Sequence, residues 1–443
     1  MKISELINVT NAEVLGKYED REIRISTDTR TIQKGDFYLP LKGESFDGEK
    51  FIEQAIEKGA AGAFYTSYLS RPAGEDLGEG AVFVKVPDTL SAYLQLANYR
   101  RNKINPIVAA VTGSSGKTTT KELVAAVLSE KYRTFKTPLN HNNEIGFCQT
   151  IFEMPDDTEV LVLEMGMRGL GEIELLSKYA EPDITIIANV GTAHIGRLGS
   201  RENIAKAKCE IVKYQRGKYF IAHDDELIKK TVDFDGEQNY YSISDVKIID
   251  KSADFSKFEY RGNVYELNVG GDYNIENSLA AIICGSKLGM GVNEIKNGLK
   301  KYHPIEKRWE GVNAGDFEII NDSYNANPES MRAFVDTIFE HYDNYTLVLG
   351  DMGELGVNEI NYHRELGEYI DRHKKLNPNT TIISIGNLSK NITDCIKNCK
   401  TEHFESIESA AKYIKHNISK SSKIFLKASR SMKFEKIIEA LKA

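Results

Sequence analysis

The chain has 443 residues, of which 41% are hydrophobic and 28% are charged, and its formal net charge is −8 at pH 7. This length exceeds what one hydrophobic core usually supports, so about three domains are expected. The acidic balance argues against a protein that binds nucleic acid by neutralising its phosphates. Five scattered cysteines without a CxxC pair predict neither a disulfide framework nor a zinc site. No apolar run reaches the length of a membrane span, so we expect a cytoplasmic protein that is not inserted in a membrane.

The first hundred residues alternate short apolar runs with helical stretches, which is typical of a small α/β domain. The apolar runs include "FYLPLKG" and "AVFVKVP", and the helical stretches cover 50–58 and 88–101. A basic segment, "YRRNKINP", then ends a helix just before an apolar strand. We therefore predict an N-terminal domain of residues 1–104.

The segment "IVAAVTGSSGKTTTK" is an apolar strand that turns through glycines into the start of a helix. Gly113 and Gly116 allow a tight turn in which several backbone N–H groups face one anion. Lys117 is then placed to face the outer phosphates of a nucleotide, and Thr118 to reach Mg²⁺. The general eight-residue pattern has a glycine where this chain has Val111, so the loop is a shorter GxxGKT form. It predicts a site for a nucleoside triphosphate with its metal, against the alternative of a plain glycine turn.

Two further buried-type strands, "EVLVLEMG" and "DITIIANVG", are separated by helix-like sequence, which predicts a parallel sheet. Ligands bind beyond the carboxyl ends of such strands. Three of these ends carry Thr118, Glu164 and His194. A hydroxyl and a carboxylate suit Mg²⁺, whereas an imidazole is a less usual ligand for it. Each residue alone is often a loop or packing residue, but their shared position indicates a site.

The segment "SRENIAKAKCEIVKY" predicts a helix with Ser200 as its N-cap. Lys206 and Lys208 lie about 200° apart on that helix, so both cannot face the same site. Periodicity does not choose between them, and a solvated lysine is the default for each. Residues 216–270 are rich in Tyr and Phe and predict an antiparallel annex, which completes a central domain of residues 105–312.

After "KRWEG" a third alternation of strands and helices predicts a Rossmann-like C-terminal domain of residues 313–443. In it, "INDSYNANPES" follows a strand and carries Asp322, Asn325 and Asn327 before a proline. This segment is either a helix cap or a ligand site. "GDMGELG" follows the next strand and either binds substrate or turns the chain.

Taken in order, these segments resemble the ATP-dependent Mur ligases of peptidoglycan synthesis over all three domains. The matching stretches are "STDTRTIQKGDFYLPLKGESFDG", "TGSSGKTTTKE", "NHNNEIG", "EMGMRGLGEI", "NVGTAHIG", "AKAKCEI", "GDYNIENSLAA", "KRWEG", "NDSYNANPESMRA", "LGDMGELG" and "KASRSMKFEKI". They are most similar to the members that join D-alanyl-D-alanine to UDP-N-acetylmuramoyl-tripeptide. The resemblance implies a monomeric enzyme that uses ATP and two Mg²⁺ ions and proceeds through an acyl phosphate.

The resemblance also implies roles for individual residues. The ATP-binding set would be Thr112, Gly113, Ser114, Ser115, Gly116, Lys117, Thr118 and Thr119, with Asn274 and Asn277 near adenine, Arg308 at the γ-phosphate and Asp322 at the ribose. Thr118 and Glu164 would hold one Mg²⁺, His194 would join a second, and Lys208 matches the lysine that is carbamylated in many of these ligases. The catalytic group would be Lys117, Glu164, His194, Lys208 and Arg308.

Three substrate sets are implied in the same way. The uridine pocket would comprise Ser26, Thr27, Asp28, Thr29, Arg30, Gly43, Asp47 and Gly48. The sugar-peptide would meet Asn140, Asn142 and Asn143. The dipeptide would meet Asn325, Asn327, Ser330, Lys427, Ser429 and Arg430.

Three alternatives stay open at this point. The ligase that adds the third amino acid to the dipeptide substrate shares "STDTR" but usually carries a DNPR-like string, which this chain lacks. A folylpolyglutamate synthetase shares the central fold but leaves the uridine-pocket domain unexplained. A regulatory P-loop NTPase would hydrolyse its nucleotide in response to a protein partner.

Overall fold

The computed structural model describes residues 1–15, 17–43, 46–66, 81–138, 141–304 and 307–442, which form three α/β units in succession. The N-terminal unit is a five-stranded sheet of order β1-β5-β4-β3-β2, in which only β1 runs antiparallel to its neighbour. Its elements are α1 (Ile3–Thr10), β1 (Glu13–Leu15), β2 (Ile25–Ser26), β3 (Phe37–Tyr38), α2 (Ile52–Glu57), β4 (Gly62–Tyr65), β5 (Val82–Lys85) and α3 (Thr89–Ile104).

The long helix α3 leads into the central unit and has clear start and stop signals. The carboxylate of Asp88 accepts a hydrogen bond from the backbone N–H of Ser91 at 2.6 Å, which satisfies a free donor of the first turn. At the other end Asn105 adopts a left-handed conformation with φ +54°, and Pro106 follows. The helix therefore ends where the first central strand begins.

The central unit is a six-stranded sheet of order β11-β10-β9-β6-β8-β7, with every pair parallel. Its elements up to the last of these strands are β6 (Ile107–Thr112), α4 (Lys117–Leu128), β7 (Thr134–Lys136), α5 (Glu144–Glu153), β8 (Val160–Glu164), α6 (Glu172–Ala180), β9 (Ile184–Ile187), α7 (Ile195–Leu198), α8 (Arg201–Cys209), β10 (Tyr219–His223), α9 (Glu226–Thr231) and β11 (Glu237–Tyr241). From β6 the chain continues to β7 and β8, which lie on one side of β6, and then crosses to β9, which lies on the other side. This reversal of strand order opens a crevice at the carboxyl ends of β6, β8 and β9.

The antiparallel annex is smaller than the sequence predicted. A three-stranded antiparallel sheet is formed only by β12 (Val246–Lys251), β13 (Ser256–Tyr260) and β14 (Asn263–Leu267). The prediction is wrong for β10 and β11, which extend the parallel sheet. Two helices, α10 (Asp272–Lys287) and α11 (Val292–Lys301), complete the unit and pack on α4.

The C-terminal unit is a six-stranded sheet of order β15-β16-β20-β17-β18-β19, parallel except at β15. Its elements are β15 (Glu310–Ala314), β16 (Phe317–Asn321), α12 (Pro328–His341), β17 (Tyr345–Gly350), α13 (Glu359–Asp371), β18 (Thr381–Ile385), α14 (Lys390–Thr393), β19 (Lys400–Phe404), α15 (Ile407–Asn417), β20 (Lys423–Lys427) and α16 (Glu435–Lys442). The chain is thus an α/β protein with three parallel-sheet units, as expected. Within the described ranges no helix is long and apolar enough to cross a membrane.

Candidate active site

A cavity of about 900 Å³ lies beyond the carboxyl ends of the central strands and is lined by residues of all three units. Most of the residues that the sequence singled out line it: Ser114, Ser115, Gly116, Lys117, Thr118, Thr119, Asn142, Asn143, Glu164, His194, Asn274, Asn277, Arg308, Asp322, Asn325, Asn327, Ser330 and Lys427. The fold therefore brings together groups that lie more than 300 residues apart in the chain.

The glycine loop between β6 and α4 fits tightly against its surroundings. Gly116 has φ +72°, and a Cβ at this position would lie 2.6 Å from Oδ1 of Asn277. A Cβ on Gly113 would lie 2.9 Å from Cβ of Ala188. The ammonium of Lys117 donates to the backbone oxygen of Gly113 at 2.9 Å, and burial lowers the pKa of this lysine. The glycine loop thus places the ammonium of Lys117 at the start of helix α4, where an anion is favoured.

Arg308 reaches into this loop from the segment that precedes the C-terminal unit. Its Nη2 donates to Oγ1 of Thr118 at 2.8 Å, and its guanidinium lies 4.1 Å from the ring centroid of Tyr324. Its Nε is buried and has no hydrogen-bond partner in the described part of the chain. Arg308 therefore offers a positive charge and a free donor at the glycine loop.

Glu164 is a buried carboxylate, and one of its two oxygens has no hydrogen-bond partner among the described residues. Its Oε1 accepts a hydrogen bond from Asn142 at 3.0 Å, and the backbone N–H of Glu164 donates to Thr137 at 3.0 Å. Its Oε2 is buried without a hydrogen-bond partner among the described residues, and the nearest cation, Nζ of Lys121, is 3.9 Å away. Leaving such an oxygen unpaired is costly, so it is a natural position for a cation.

These donors fit Mg²⁺, which prefers hard oxygen ligands and commonly takes one or two protein carboxylates together with water and phosphate oxygens. The carboxylate of Glu164 and the hydroxyl of Thr118 are of this kind. Across the described ranges no group of three or more His, Cys, Asp or Glu residues forms a metal cage. A bound Mg²⁺ would therefore take most of its ligands from the nucleotide and from water.

The two lysines of α8 lie in opposite environments. Ser200 caps the helix as predicted, since its hydroxyl accepts from the N–H of Asn203 at 3.2 Å. The side chain of Lys206 is exposed, whereas Lys208 has only 1% of its surface accessible. Burial, and secondarily the charge of Lys117, lower the pKa of Lys208 well below its usual value. Lys208 lies beneath the cavity and not in its lining.

His194 follows β9 and lines the cavity in a left-handed backbone conformation with φ +65°. Its Nδ1 lies 2.5 Å from Oε2 of Glu354, a residue of the C-terminal unit. A second carboxylate, that of Glu329, accepts hydrogen bonds from the backbone N–H and the hydroxyl of Thr192, at 3.0 and 2.9 Å. Sequence reasoning missed both glutamates, because only the docking of two units gives them these partners.

The asparagine-rich segment of the C-terminal unit is both a helix cap and part of the cavity wall. Oδ1 of Asn327 accepts from the N–H of Ser330 at 2.8 Å, which caps α12. Oδ1 of Asn325 accepts from the next N–H in its own turn. Asp322 forms an ion pair with Lys427 at 2.5 Å. The two interpretations left open by the sequence are therefore compatible.

Some predicted residues lie elsewhere. Ser429 accepts from the N–H of Gly353 at 2.7 Å, and Arg430 pairs with Glu435 at 3.2 Å, both outside the cavity lining. Asn143 caps α5 through the N–H of Gly146 at 2.9 Å while it lines the cavity. Thr112 and Gly113 lie behind the lining residues, and Asn140 falls outside the described residues.

The predicted uridine set forms a separate group on the N-terminal unit. Its members lie at β2 and at the turn before α2: Ser26, Thr27, Asp28, Thr29, Arg30, Gly43, Asp47 and Gly48. Arg30 pairs with Asp28 at 2.7 Å and lowers the pKa of that carboxyl to about 2. The hydroxyl of Tyr38 donates to the backbone oxygen of Gly48 at 3.0 Å, which joins the turn to the sheet. None of the eight lines the cavity described above.

Comparison with known proteins gives consistent matches over the whole chain. Three family models match: the Mur ligase family, catalytic domain over residues 24–101, the Mur ligase middle domain over 111–285, and the Mur ligase, glutamate ligase domain over 307–430. The UDP-N-acetylmuramoyl-tripeptide–D-alanyl-D-alanine ligase of Bacillus subtilis (strain 168) is 36% identical over 457 residues, which cover 99% of this chain and 97% of that protein. Its counterpart from Escherichia coli (strain K12) is 30% identical over 461 residues, with 99% and 98% covered.

Solved structures agree with these matches. MurF from Acinetobacter baumannii has a TM-score of 0.88 and 27% identity, with 99% of this chain and 98% of that chain covered. The MurF ligase from Thermotoga maritima in complex with ADP has a TM-score of 0.81 and 27% identity, with 95% and 97% covered.

Proposed function

Because this chain belongs to the Mur ligase family of ATP-dependent, ADP-forming amide ligases, we propose that it joins D-alanyl-D-alanine to UDP-N-acetylmuramoyl-tripeptide. The observation that carries the proposal is the shared cavity, in which the glycine loop of the central unit faces the 325–330 segment of the C-terminal unit. We propose domains of residues 1–104, 105–312 and 313–443, with Trp309 and the first residues of β15 packed into the C-terminal unit just before its proposed start.

The proposed reaction has two steps. The terminal carboxylate of the tripeptide attacks the γ-phosphorus of ATP, which releases ADP and forms an acyl phosphate. The amine of D-alanyl-D-alanine then attacks the acyl carbon, loses a proton and expels phosphate. Lys117 and Arg308 would offset the charge of anions that repel each other, and the shared cavity would align the amine with the acyl carbon.

The proposed nucleotide contacts follow from the glycine loop and its neighbours. Residues 112–119 would hold the phosphates, with Asn274 and Asn277 near the base. Arg308 would meet the γ-phosphate and Asp322 the ribose. The unpaired Nε of Arg308 supports its part, because an anion in the loop would give this donor a partner. Asp322 would have to share its ion pair with Lys427.

We assign the Mg²⁺ ligands on the same basis. Thr118 and Glu164 would hold one ion, and His194 and a carbamylated Lys208 would hold a second. When bound, these ions would neutralise charge on the transferred phosphate. The unpaired Oε2 of Glu164 supports the first site. The burial of Lys208 supports the carbamate, because only a neutral amine reacts with carbon dioxide and burial favours the neutral form.

The substrate contacts are assigned by unit. The eight residues at β2 and the turn before α2 would bind the uridine end, and Asn142 and Asn143 the sugar-peptide. Asn325, Asn327, Ser330 and Lys427 would bind the dipeptide. Their position in one cavity wall supports this last set, whereas the contacts of Ser429 and Arg430 give those two no such support. We further propose a cytoplasmic monomer, since one chain supplies every part of the site and its substrates are ATP and UDP-linked precursors.

The experiment that tests the function measures phosphate release with ATP, UDP-N-acetylmuramoyl-tripeptide and D-alanyl-D-alanine, each omitted in turn. Release should require all three, with the lysine and diaminopimelate forms of the tripeptide assayed in parallel. Release that needs ATP but persists without the tripeptide and the dipeptide would indicate a regulatory NTPase. Turnover with the UDP-linked dipeptide and a free amino acid instead would indicate the ligase that acts one step earlier.

A further inference from the structure

We propose that Glu354 of the C-terminal unit is the positioning residue for His194 of the central unit. In this arrangement the imidazole is oriented for its ligand only while the two units are docked. The inference rests on the proposed function, because it takes His194 as a metal ligand. It adds a residue that has no role in the site as assigned above.

The contact between the two side chains is close and is held from both backbones. Oε2 of Glu354 lies 2.5 Å from Nδ1 of His194, the separation of a short hydrogen bond, although the oxygen lies off the axis of the ring N–H. The N–H of Gly196 donates to the backbone oxygen of Glu354 at 3.0 Å. Both His194 and Glu354 have left-handed backbones, with φ +65° and +63°. Two strained residues thus meet across the boundary between the units.

The backbones of the two units are packed closely together around this contact. A Cβ on Gly196 would lie 2.5 Å from the backbone nitrogen of Gly356, and a Cβ on Gly356 would lie 2.6 Å from Cα of Gly196. Ile195, between the two contacting residues, packs against the core of the C-terminal unit that includes Leu355. The glycines let the loops approach closely enough for the carboxylate to reach the imidazole.

The chemical consequence concerns the tautomer of His194. A carboxylate at Nδ1 favours the proton on that nitrogen, which leaves the lone pair on Nε2. No hydrogen bond to Nε2 is formed by the described residues, and His194 lines the cavity. Arg168 and Arg197 also act electrostatically on Glu354, and both belong to the central unit, so Glu354 loses them together with His194 when the units separate. Docking would then convert a free imidazole into one with a fixed ligand atom.

The test uses the full-length protein with ¹⁵N-labelled histidine, with the His194 signal assigned from a His194→Gln variant. In the wild type the nitrogen shifts should report a proton on Nδ1. Glu354→Ala should give a mixture of tautomers, and Glu354→Gln, whose side-chain oxygen still accepts from Nδ1, should keep most of the wild-type signal. The matched control is Glu329→Ala, which removes a different carboxylate that bridges the same two units and that bonds Thr192 and not His194.

A titration with Mn²⁺ alone gives the second readout, because the paramagnetic ion broadens the His194 signal at its own site. Loss of an orienting partner usually weakens metal binding by about 10–100-fold, which is the loss expected for Glu354→Ala. Glu354→Gln should lose less Mn²⁺ affinity, and Glu329→Ala should bind Mn²⁺ as the wild type does. Nε1 of the single tryptophan, Trp309, donates to the backbone oxygen of Ala253 in the central unit at 3.2 Å, so the emission of Trp309 reports whether each variant remains docked.

The outcomes separate this inference from the function on which it rests. Equal changes of the His194 signal in Glu354→Ala and Glu329→Ala would overturn it, because docking alone would then explain the effect. A wild-type tautomer and Mn²⁺ affinity in Glu354→Ala would also overturn it. If Trp309 shows that Glu354→Ala is undocked, Glu354→Gln decides: mixed tautomers in that variant while it remains docked would overturn the inference, because its side-chain oxygen can still accept from Nδ1. If the wild type does not catalyse the ligase reaction, that result would instead contradict the proposed function.

Discussion

Some residues of the site are proposed to carry charge for the reaction, whereas others only lie on the same helix. Lys208 and Lys206 form a matched pair, one buried and one exposed on the same helix. Lys208→Ala should lower turnover by about 10²-fold or more, the scale of losing a group that stabilises charge at a reacting centre. Added formate or acetate should restore part of the rate by supplying the missing anionic oxygen.

The phosphate-release assay checks this prediction, with Lys206→Ala as the control at near wild-type rate. Full turnover in Lys208→Ala, or loss of activity in Lys206→Ala, would show that the wrong lysine was chosen. Melting curves of both variants separate a fold defect from a chemical one.

The sequence located some of these residues but not others, for identifiable reasons. Strand ends are visible as the last residues of apolar runs, so Thr118, Glu164 and His194 were found without a structure. Helical periodicity separates two faces but does not say which is buried, so it left Lys206 and Lys208 undecided. Glu354 lies in the "GDMGELG" segment that the sequence singled out, but its partner comes from another unit, so its role was not predictable.

At the scale of elements, the turn between β6 and α4 depends on the backbone of Gly116. Gly116 and Gly262 share nearly the same left-handed φ, +72° and +74°, but a Cβ at Gly262 meets nothing within 4 Å. Gly116→Ala and Gly262→Ala should therefore both carry backbone strain of about 1 kcal/mol. Only Gly116→Ala also pushes into Asn277, so ADP affinity should fall in that variant by about tenfold or more, a loss of 1.4 kcal/mol.

Titration calorimetry with ADP checks this expectation, with unchanged affinity in Gly262→Ala. Equal ADP affinity in both variants would mean that the clash is relieved without cost to the nucleotide loop. A similar small fall of the melting temperature in both would confirm that backbone strain is the shared component.

Strands were predictable from the sequence where a run of buried residues fits only one kind of strand. The strands β8 and β9 are mostly apolar and buried along their whole length, as strands covered on both faces are, and they were assigned correctly. The strand β11 reads "EQNYY" and is half exposed at the sheet edge, so its composition suggested an antiparallel strand. The edge strand β19, "KTEHF", is polar and was missed altogether.

At the scale of the whole molecule, the N-terminal and central units share a hydrophobic core, whereas the C-terminal unit has a core of its own. One core cluster runs from the N-terminal unit into the central unit, and Tyr93 of the first stacks on Phe152 of the second at 5.5 Å. Arg101, fully buried, also donates to the backbone oxygen of Glu181 at 2.8 Å. The core of the C-terminal unit, which includes Trp309, is distinct.

We therefore expect two transitions when the full chain is heated, one for the N-terminal and central units together and one for the C-terminal unit. Scanning calorimetry should resolve them, and the emission of Trp309 should follow only the second. Because the proposed nucleotide site is the glycine loop of the central unit, saturating ADP should raise the first transition by mass action. Glu329→Ala, which removes a contact between the units, should lower the second transition and leave the first in place. A single transition that Trp309 follows throughout would mean that docking fuses all three units into one cooperative structure, in which case separation of the C-terminal unit during turnover would require partial unfolding.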